Sequence, residues 1–245
     1  MSIEEKLIEI TNNVPLVYNA GYEKGKAEGG GGSGDDTFWD IYQNNGNRTS
    51  YAYAFAGEGW NNITFKPKYN IIPSGTSTNM FYGCGFSGNL ASYLKSNNIT
   101  LDLKNSTNCS NIFATANKIT HLPSIDLSKA TNTSGVFSNC ANLTSIEALK
   151  ITDKQTTASN WFYNCGALTN LIITKDSTIF ANLDLRQSTK LSRVSIESIV
   201  NALSNLKSGG TLTLSKTAKE KAFPNAADWD TLIAPKKNNW TITLV

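Results

Sequence analysis

The architecture of this chain is written most plainly in Val136-Phe137-Ser138-Asn139-Cys140-Ala141-Asn142-Leu143-Thr144-Ser145-Ile146. Phe137 is followed by Leu143, Ile146, Leu149 and Ile151 at offsets +6, +9, +12 and +14. One unit upstream, Phe113 is followed by Ile119, Leu122, Ile125 and Leu127 at the same four offsets. Downstream, Phe162 has Leu168 and Leu171 at +6 and +9, with Ile173 one residue out of register. Upstream again, Phe81 has Leu90 at +9, then Leu101 and Leu103 after an insertion. The phenylalanines are 32, 24 and 25 residues apart. Self-similarity at such a period is the mark of a repeat array, in which stacked units bury a continuous core that no single unit could bury alone.

The shared words Phe81-Tyr82-Gly83-Cys84, Phe137-Ser138-Asn139-Cys140 and Phe162-Tyr163-Asn164-Cys165, together with Ile125-Asp126-Leu127-Ser128, carry a resemblance. They are similar to the BspA-like leucine-rich repeat over about residues 79–190. The resemblance implies an α+β chain built on a right-handed solenoid, each coil giving one short parallel strand. Ala114-Thr115-Ala116 departs from the motif by lacking the cysteine.

On the N-terminal side, residues 36–78 are rich in aromatics. Tyr51-Ala52-Tyr53-Ala54-Phe55 alternates as a strand does, and the segment reads as a cap over the first coil. Residues 29–35, with Gly29-Gly30-Gly31-Gly32-Ser33-Gly34, have the composition of a flexible linker. Within residues 1–28, Ile3, Leu7, Ile10, Val14 and Val17 follow the 4-3-4-3 spacing of a coiled-coil seam, opened by a Ser2/Glu5 capping box and interrupted by Pro15. β-branched residues and Ile on that seam favour three strands over two, so a homotrimer is expected. Beyond the repeats, residues 191–245 read as an α/β C-terminal cap. Its helix runs over 195–206 and is ended by Gly209-Gly210, followed by strand Thr211–Leu214, a short helix over 217–223 and a final strand over 240–245.

Composition narrows the function. The chain has 245 residues, 40% of them hydrophobic and 17% charged, and a mean hydropathy of −0.27, which excludes a disordered chain. No apolar run approaches the roughly 20 residues of a membrane span, and Met1-Ser2-Ile3-Glu4-Glu5 does not resemble a signal peptide. Residues 1–36 hold seven acids and three lysines, so the net +3 of the whole leaves +7 dispersed over the rest. That is no nucleic-acid footprint, which needs a basic stripe.

No nucleotide or metalloprotease motif is present and no cofactor is expected. His121 is the only histidine and lies at a surface-like repeat position without a motif partner. Asp102 and Asp126 occupy equivalent places on neighbouring units, with Asp184 as a possible continuation, where paired carboxylates for glycoside hydrolysis would have to lie. Their Leu-Asp-Leu and Ile-Asp-Leu settings read instead as solvated outward positions. Cys84, Cys140 and Cys165 share the Phe+3 position and read as buried fillers, while Cys109 stands outside that register.

The remaining candidate is surface recognition, with Trp39, Tyr42, Tyr51, Tyr53, Trp60 and Tyr69 able to stack sugar rings and an Asn/Ser/Thr ladder able to hydrogen-bond them. The segments at 5–29 (EKLIEITNNVPLVYNAGYEKGKAEG), 38–57 (FWDIYQNNGNRTSYAYAFAG) and 239–245 (NWTITLV) resemble phage and prophage proteins of Gram-positive gut bacteria. That resemblance implies a virion localisation and a tail- or head-fibre adhesin that meets other virion proteins through its N-terminal helix and, at the host surface, a glycan or protein. The alternatives are a purely structural capsid or tail decoration, or an enzyme acting on cell-wall polysaccharide.

Overall fold

A computed structural model describes residues 70–155, 158–206 and 209–245. In chain order these form β1 (Gly88–Asn89), α1 (Leu90–Ser96), β2 (Ile119–Leu122), β3 (Ile125–Asp126), β4 (Ser145–Lys150) and β5 (Asn170–Ile173). There follow β6 (Leu183–Leu185), α2 (Arg193–Ala202), β7 (Gly210–Leu214), α3 (Lys216–Ala222), α4 (Ala226–Ile233), a 3-10 turn at Ala234–Lys236, and β8 (Trp240–Leu244).

The strands are short, and every pairing is parallel. One sheet runs β1-β2-β4, with β3 and β5 also paired to β4, and a second runs β6-β7-β8. The register repeats the sequence period. Leu122 lies opposite Ile146, and Ile146 opposite Leu171, which are the +9 residues of the last three units. Ile125 lies opposite Leu149, which are the +12 residues. Leu149 then pairs with Ile173 across a register shift, so the one-residue slip in the Phe162 unit is a bulge. The rows Ile119/Leu143/Leu168 at +6 and Leu127/Ile151 at +14 are also buried.

The rings of Phe81, Phe113, Phe137 and Phe162 form one stack through this core. Their centroids step by 5.0, 5.9 and 5.3 Å with interplanar angles of 12°, 6° and 13°. All four are fully buried. The step is set by the backbone, since neighbouring parallel strands lie about 4.8 Å apart. Rings at the same place in each unit therefore arrive close to stacking distance. The eight extra residues between Phe81 and Phe113 are taken up by α1, whose Asn89 cap accepts the N–H of Ser92 at 2.8 Å, and the stack is uninterrupted. The interlayer ladder already includes Ile71, bridged to Leu101, and Ser77, which donates its N–H to Asn108 at 2.7 Å.

The first sheet ends on a helix rather than on water. Ser195 Oγ accepts the N–H of Leu171 at 2.9 Å and donates to the carbonyl of Thr169 at 3.2 Å. Ser198 Oγ does the same one step along, taking the N–H of Ile173 at 3.2 Å and donating to Leu171 O at 3.2 Å. Two hydroxyls one helical turn apart thus satisfy the outer edge of β5. That helix, α2, differs from the expected 195–206 span. It begins at Arg193 with Ser192 as its cap and ends at Ala202, because Leu203 leaves to pair with Ile179, and Leu206 is 89% exposed.

The second sheet begins at Leu183, before the expected start of the terminal segment at 191, and steps by 29 and 30 residues. Helix α4 is held by Trp229 and Ile233, four residues apart on one face. Trp229 meets Phe223 at 5.4 Å.

Candidate binding surface

Each stacked phenylalanine sits in the same turn, and the turn explains the asparagines. Two residues before and two after each ring the backbone has positive φ. The pairs are Asn79 and Gly83, Asn111 and Thr115, Gly135 and Asn139, and Asn160 and Asn164, all between +52° and +63°. Only glycine enters this region freely, and asparagine is the most tolerant of the rest. Five of the eight positions are Asn, two are Gly and one is Thr.

The bend turns alternate N–H groups toward the next unit. Phe81 donates to Ile112 at 2.7 Å, Phe113 to Val136 at 2.9 Å, and Phe137 to Trp161 at 3.2 Å. Gly83, Thr115 and Asn139 donate likewise to Ala114, Ser138 and Tyr163 at 2.9, 2.8 and 2.7 Å. At the last turn no further unit follows in this pattern. Asn164 donates its N–H to the side-chain carbonyl of Gln187 instead.

The outer side of these turns is a ridge whose Phe+1 residues are Tyr82, Ala114, Ser138 and Tyr163, each donating its N–H to the residue three before it. Tyr82 and Tyr163 are exposed, Ser138 is half-buried and Ala114 is buried. Beside them, Asn139 Nδ2 meets Ser138 Oγ at 3.3 Å, and Asn164 Nδ2 meets Asn139 Oδ1 at 3.3 Å. Residues 79–83, 111–115, 135–139 and 160–164 contain no charged side chain.

The thiols lie inward of the ridge. Cys140 Sγ donates to Phe113 O at 2.9 Å and Cys165 Sγ to Phe137 O at 3.0 Å, so each binds the unit before it. Burial pushes Cys84 up to about 11 and Cys165 up to about 12, and raises Cys140 further. Such groups stay as thiols and are poor nucleophiles. Cys109 is buried as well, pushed up to about 12 by burial. It is in register with Ser77 and Thr133, a second small-residue row that the Phe+3 alignment does not contain.

The candidate acids are occupied by their own turns. Asp102, Asp126 and Asp184 each accept the N–H two residues on, at 3.0, 2.8 and 3.0 Å. Asp102 also pairs with Lys104 at 2.8 Å and Asp184 with Arg186 at 2.8 Å. Asp126 lies opposite Lys150, not another acid, and Lys150 reaches Asp176 at 2.5 Å. Asp184 does not continue the row: it lies in β6, opposite Thr213 of the second sheet. His121 Nδ1 is 2.9 Å from Thr120 Oγ1 and its Nε2 is 3.5 Å from Thr144 Oγ1, a hydroxyl setting without a carboxylate partner among the described residues. Among the described residues no group of three or more His, Cys, Asp or Glu converges to hold a metal ion, and no helix is long and apolar enough to cross a membrane.

The expected sugar-stacking residues Trp39, Tyr42, Tyr51, Tyr53, Trp60 and Tyr69, and the seam of Ile3, Leu7, Ile10, Val14 and Val17, lie outside the described residues. The structure presents instead two tyrosines that enter the sequence pattern only as parts of the repeat word. The signal that could have singled them out is their own position: Phe+1, between two turn-forming residues, where an aromatic has no core to enter. No known family model matches the chain, and no curated protein or solved structure matches it.

Proposed function

We propose that this chain is a non-enzymatic phage structural protein, a tail- or head-fibre adhesin that displays a BspA-like leucine-rich solenoid and is carried in the virion by its N-terminal helix. The observation that supports it best is the ridge of Asn/Gly-bent turns on a continuous Phe stack. It is a rigid, uncharged, hydrogen-bonding surface repeated at a fixed step, of the kind solenoids use for extended recognition. The occupied state of Asp102, Asp126 and Asp184 in their own turns supports binding over hydrolysis. The phage setting rests on the resemblance of the 5–29, 38–57 and 239–245 segments.

The test is attachment. Labelled full chain is offered to host cells, and its mass in solution is measured with and without residues 1–28. Saturable cell binding by a trimer is expected, and a folded monomer that no longer joins particles after the deletion. A chain that joins particles but never binds cells would indicate a decoration protein. Turnover of cell-wall polysaccharide that disappears in Asp102→Asn or Asp126→Asn would indicate an enzyme.

A further inference from the structure

We propose that the turn ridge binds a straight, neutral, β-1,4-linked oligosaccharide lying along the stack, with one pyranose ring on Tyr82 and another on Tyr163. This deepens the adhesin reading and rests on it. Tyr82 and Tyr163 are the exposed aromatic side chains among the described residues, at 39% and 53%. They occupy the same place in the first and fourth turns, fixed there by the same i to i−3 bond, at 3.1 Å to Asn79 and 3.3 Å to Asn160. No hydrogen bond or ring contact holds either side chain among the described residues.

Between them the Phe+1 positions are the buried Ala114 and the half-buried Ser138, so no large exposed side chain stands on the line between the two aromatic platforms. The platforms are three layers apart, roughly 15 Å. In a straight glycan whose rings advance by one layer step, about 5 Å, sugars one and four fall on the two rings. The equatorial linkage matters, because a coiling α-linked chain would leave the ridge after one contact. Tyrosine is well suited to both ends, since its flat apolar face covers the axial C–H face of a sugar while its hydroxyl remains wet.

Asn139 and Asn164, tied to Ser138 and to each other at 3.3 Å, form an amide rail beside this line for the ring hydroxyls. With no charged side chain in the four turns, the surface offers nothing to a phosphate, carboxylate or ammonium, and a neutral saccharide is the chemistry that fits.

The test uses the full chain and four sugars, the di- and tetrasaccharides of β-1,4-linked glucose and of β-1,4-linked N-acetylglucosamine, by calorimetry, with thermal unfolding recorded for every variant. At least one tetrasaccharide should bind about tenfold or more tighter than its disaccharide, because only it spans both rings. Tyr82→Ala or Tyr163→Ala should remove that gain with no change in melting, and Tyr163→Phe should keep it. No binding by any of the four, equal binding by both lengths, or full tetrasaccharide affinity in both alanine variants would overturn the proposal. Cell attachment separates the two readings. A Tyr82→Ala/Tyr163→Ala chain that still attaches overturns the glycan ridge alone, whereas a native chain that never attaches overturns the adhesin.

Discussion

Ser195 Oγ lies 2.9 Å from the backbone nitrogen of Leu171 and takes the place of the carbonyl that another strand would present. An open parallel edge is a template for unwanted pairing, and here it is closed by the hydroxyls of a helix.

Replacing Ser195 with Ala should leave the Leu171 N–H and one acceptor site at Thr169 unsatisfied in a buried place, costing about 1–3 kcal/mol. Denaturant unfolding measures the cost. Hydrogen exchange at the Leu171 amide should accelerate more than exchange at Leu122, deep in the same sheet. Equal acceleration at both would mean that the hydroxyl is not a local cap.

Phe137 occupies the middle of the ring stack, and Phe137→Ala should cost about 3–5 kcal/mol. Aromatic pairs add about 0.5–1.5 kcal/mol beyond area, so a double-mutant cycle with Phe113→Leu should show coupling. Additive effects within about 0.3 kcal/mol would mean that the two rings act as separate fillers.

Thr115 is the one β-branched residue among the eight left-handed turn positions, with φ +58°, and its Oγ1 is buried without a partner. Such a conformation costs about 1–3 kcal/mol in a residue of this kind. Thr115→Asn or Thr115→Gly should therefore raise stability by about 1 kcal/mol, read as a higher denaturation midpoint at unchanged slope. A loss of stability in both variants would show that the threonine methyl contributes packing larger than the strain.

The thiols set an alkaline limit. Their folded values lie above the ordinary 9.0, at about 11 for Cys84 and about 12 for Cys109 and Cys165, because burial disfavours the thiolate. The unfolded chain thus loses these protons first. The stability they support is complete below pH 9 and falls as pH rises from about 9 toward 11–12. A disulfide reagent at about pH 8 should modify no cysteine in the folded chain and all four after denaturation. Rapid labelling of any one in the native state would contradict its burial.

At the acid end, the Lys150 ammonium beside Asp176, with Thr174 donating at 2.5 Å, holds that carboxyl at about 2. Its contribution is present above about pH 4 and is lost as pH falls toward about 2. NMR titration of Asp176 should show the low midpoint, moving up toward the ordinary value in Lys150→Met.

Hydropathy spacing reveals most of the core. Phe113, Leu122 and Ile125 are readable because buried side chains recur at the layer step, and the same arithmetic locates the slip at Ile173. The turns are opaque for a physical reason. Positive φ at Asn79, Asn111 and Asn160 is a backbone demand, with no apolar period to betray it, so asparagines that shape every turn look like bulk composition. Gln187 and Ser195 escape for a related reason: each replaces a missing backbone partner, which only the stacked layers reveal. Helix α4 is hidden because it is only eight residues long and buries one i, i+4 pair, Trp229 and Ile233, too short a run for the spacing to stand out. The ridge tyrosines are in view as part of Phe-Tyr-Gly-Cys and Phe-Tyr-Asn-Cys, but their outward placement follows from the bend around them, not from their spacing.

The helix inserted between Phe81 and Phe113 also has a practical meaning. Eight surplus residues enter one arc of a unit while both flanking rings keep their contact. Chain length at that arc is therefore uncoupled from the layer step, and length changes there do not propagate along the chain. It is a port at which a foreign segment, an affinity tag or a spectroscopic label can be spliced in without retuning its neighbours.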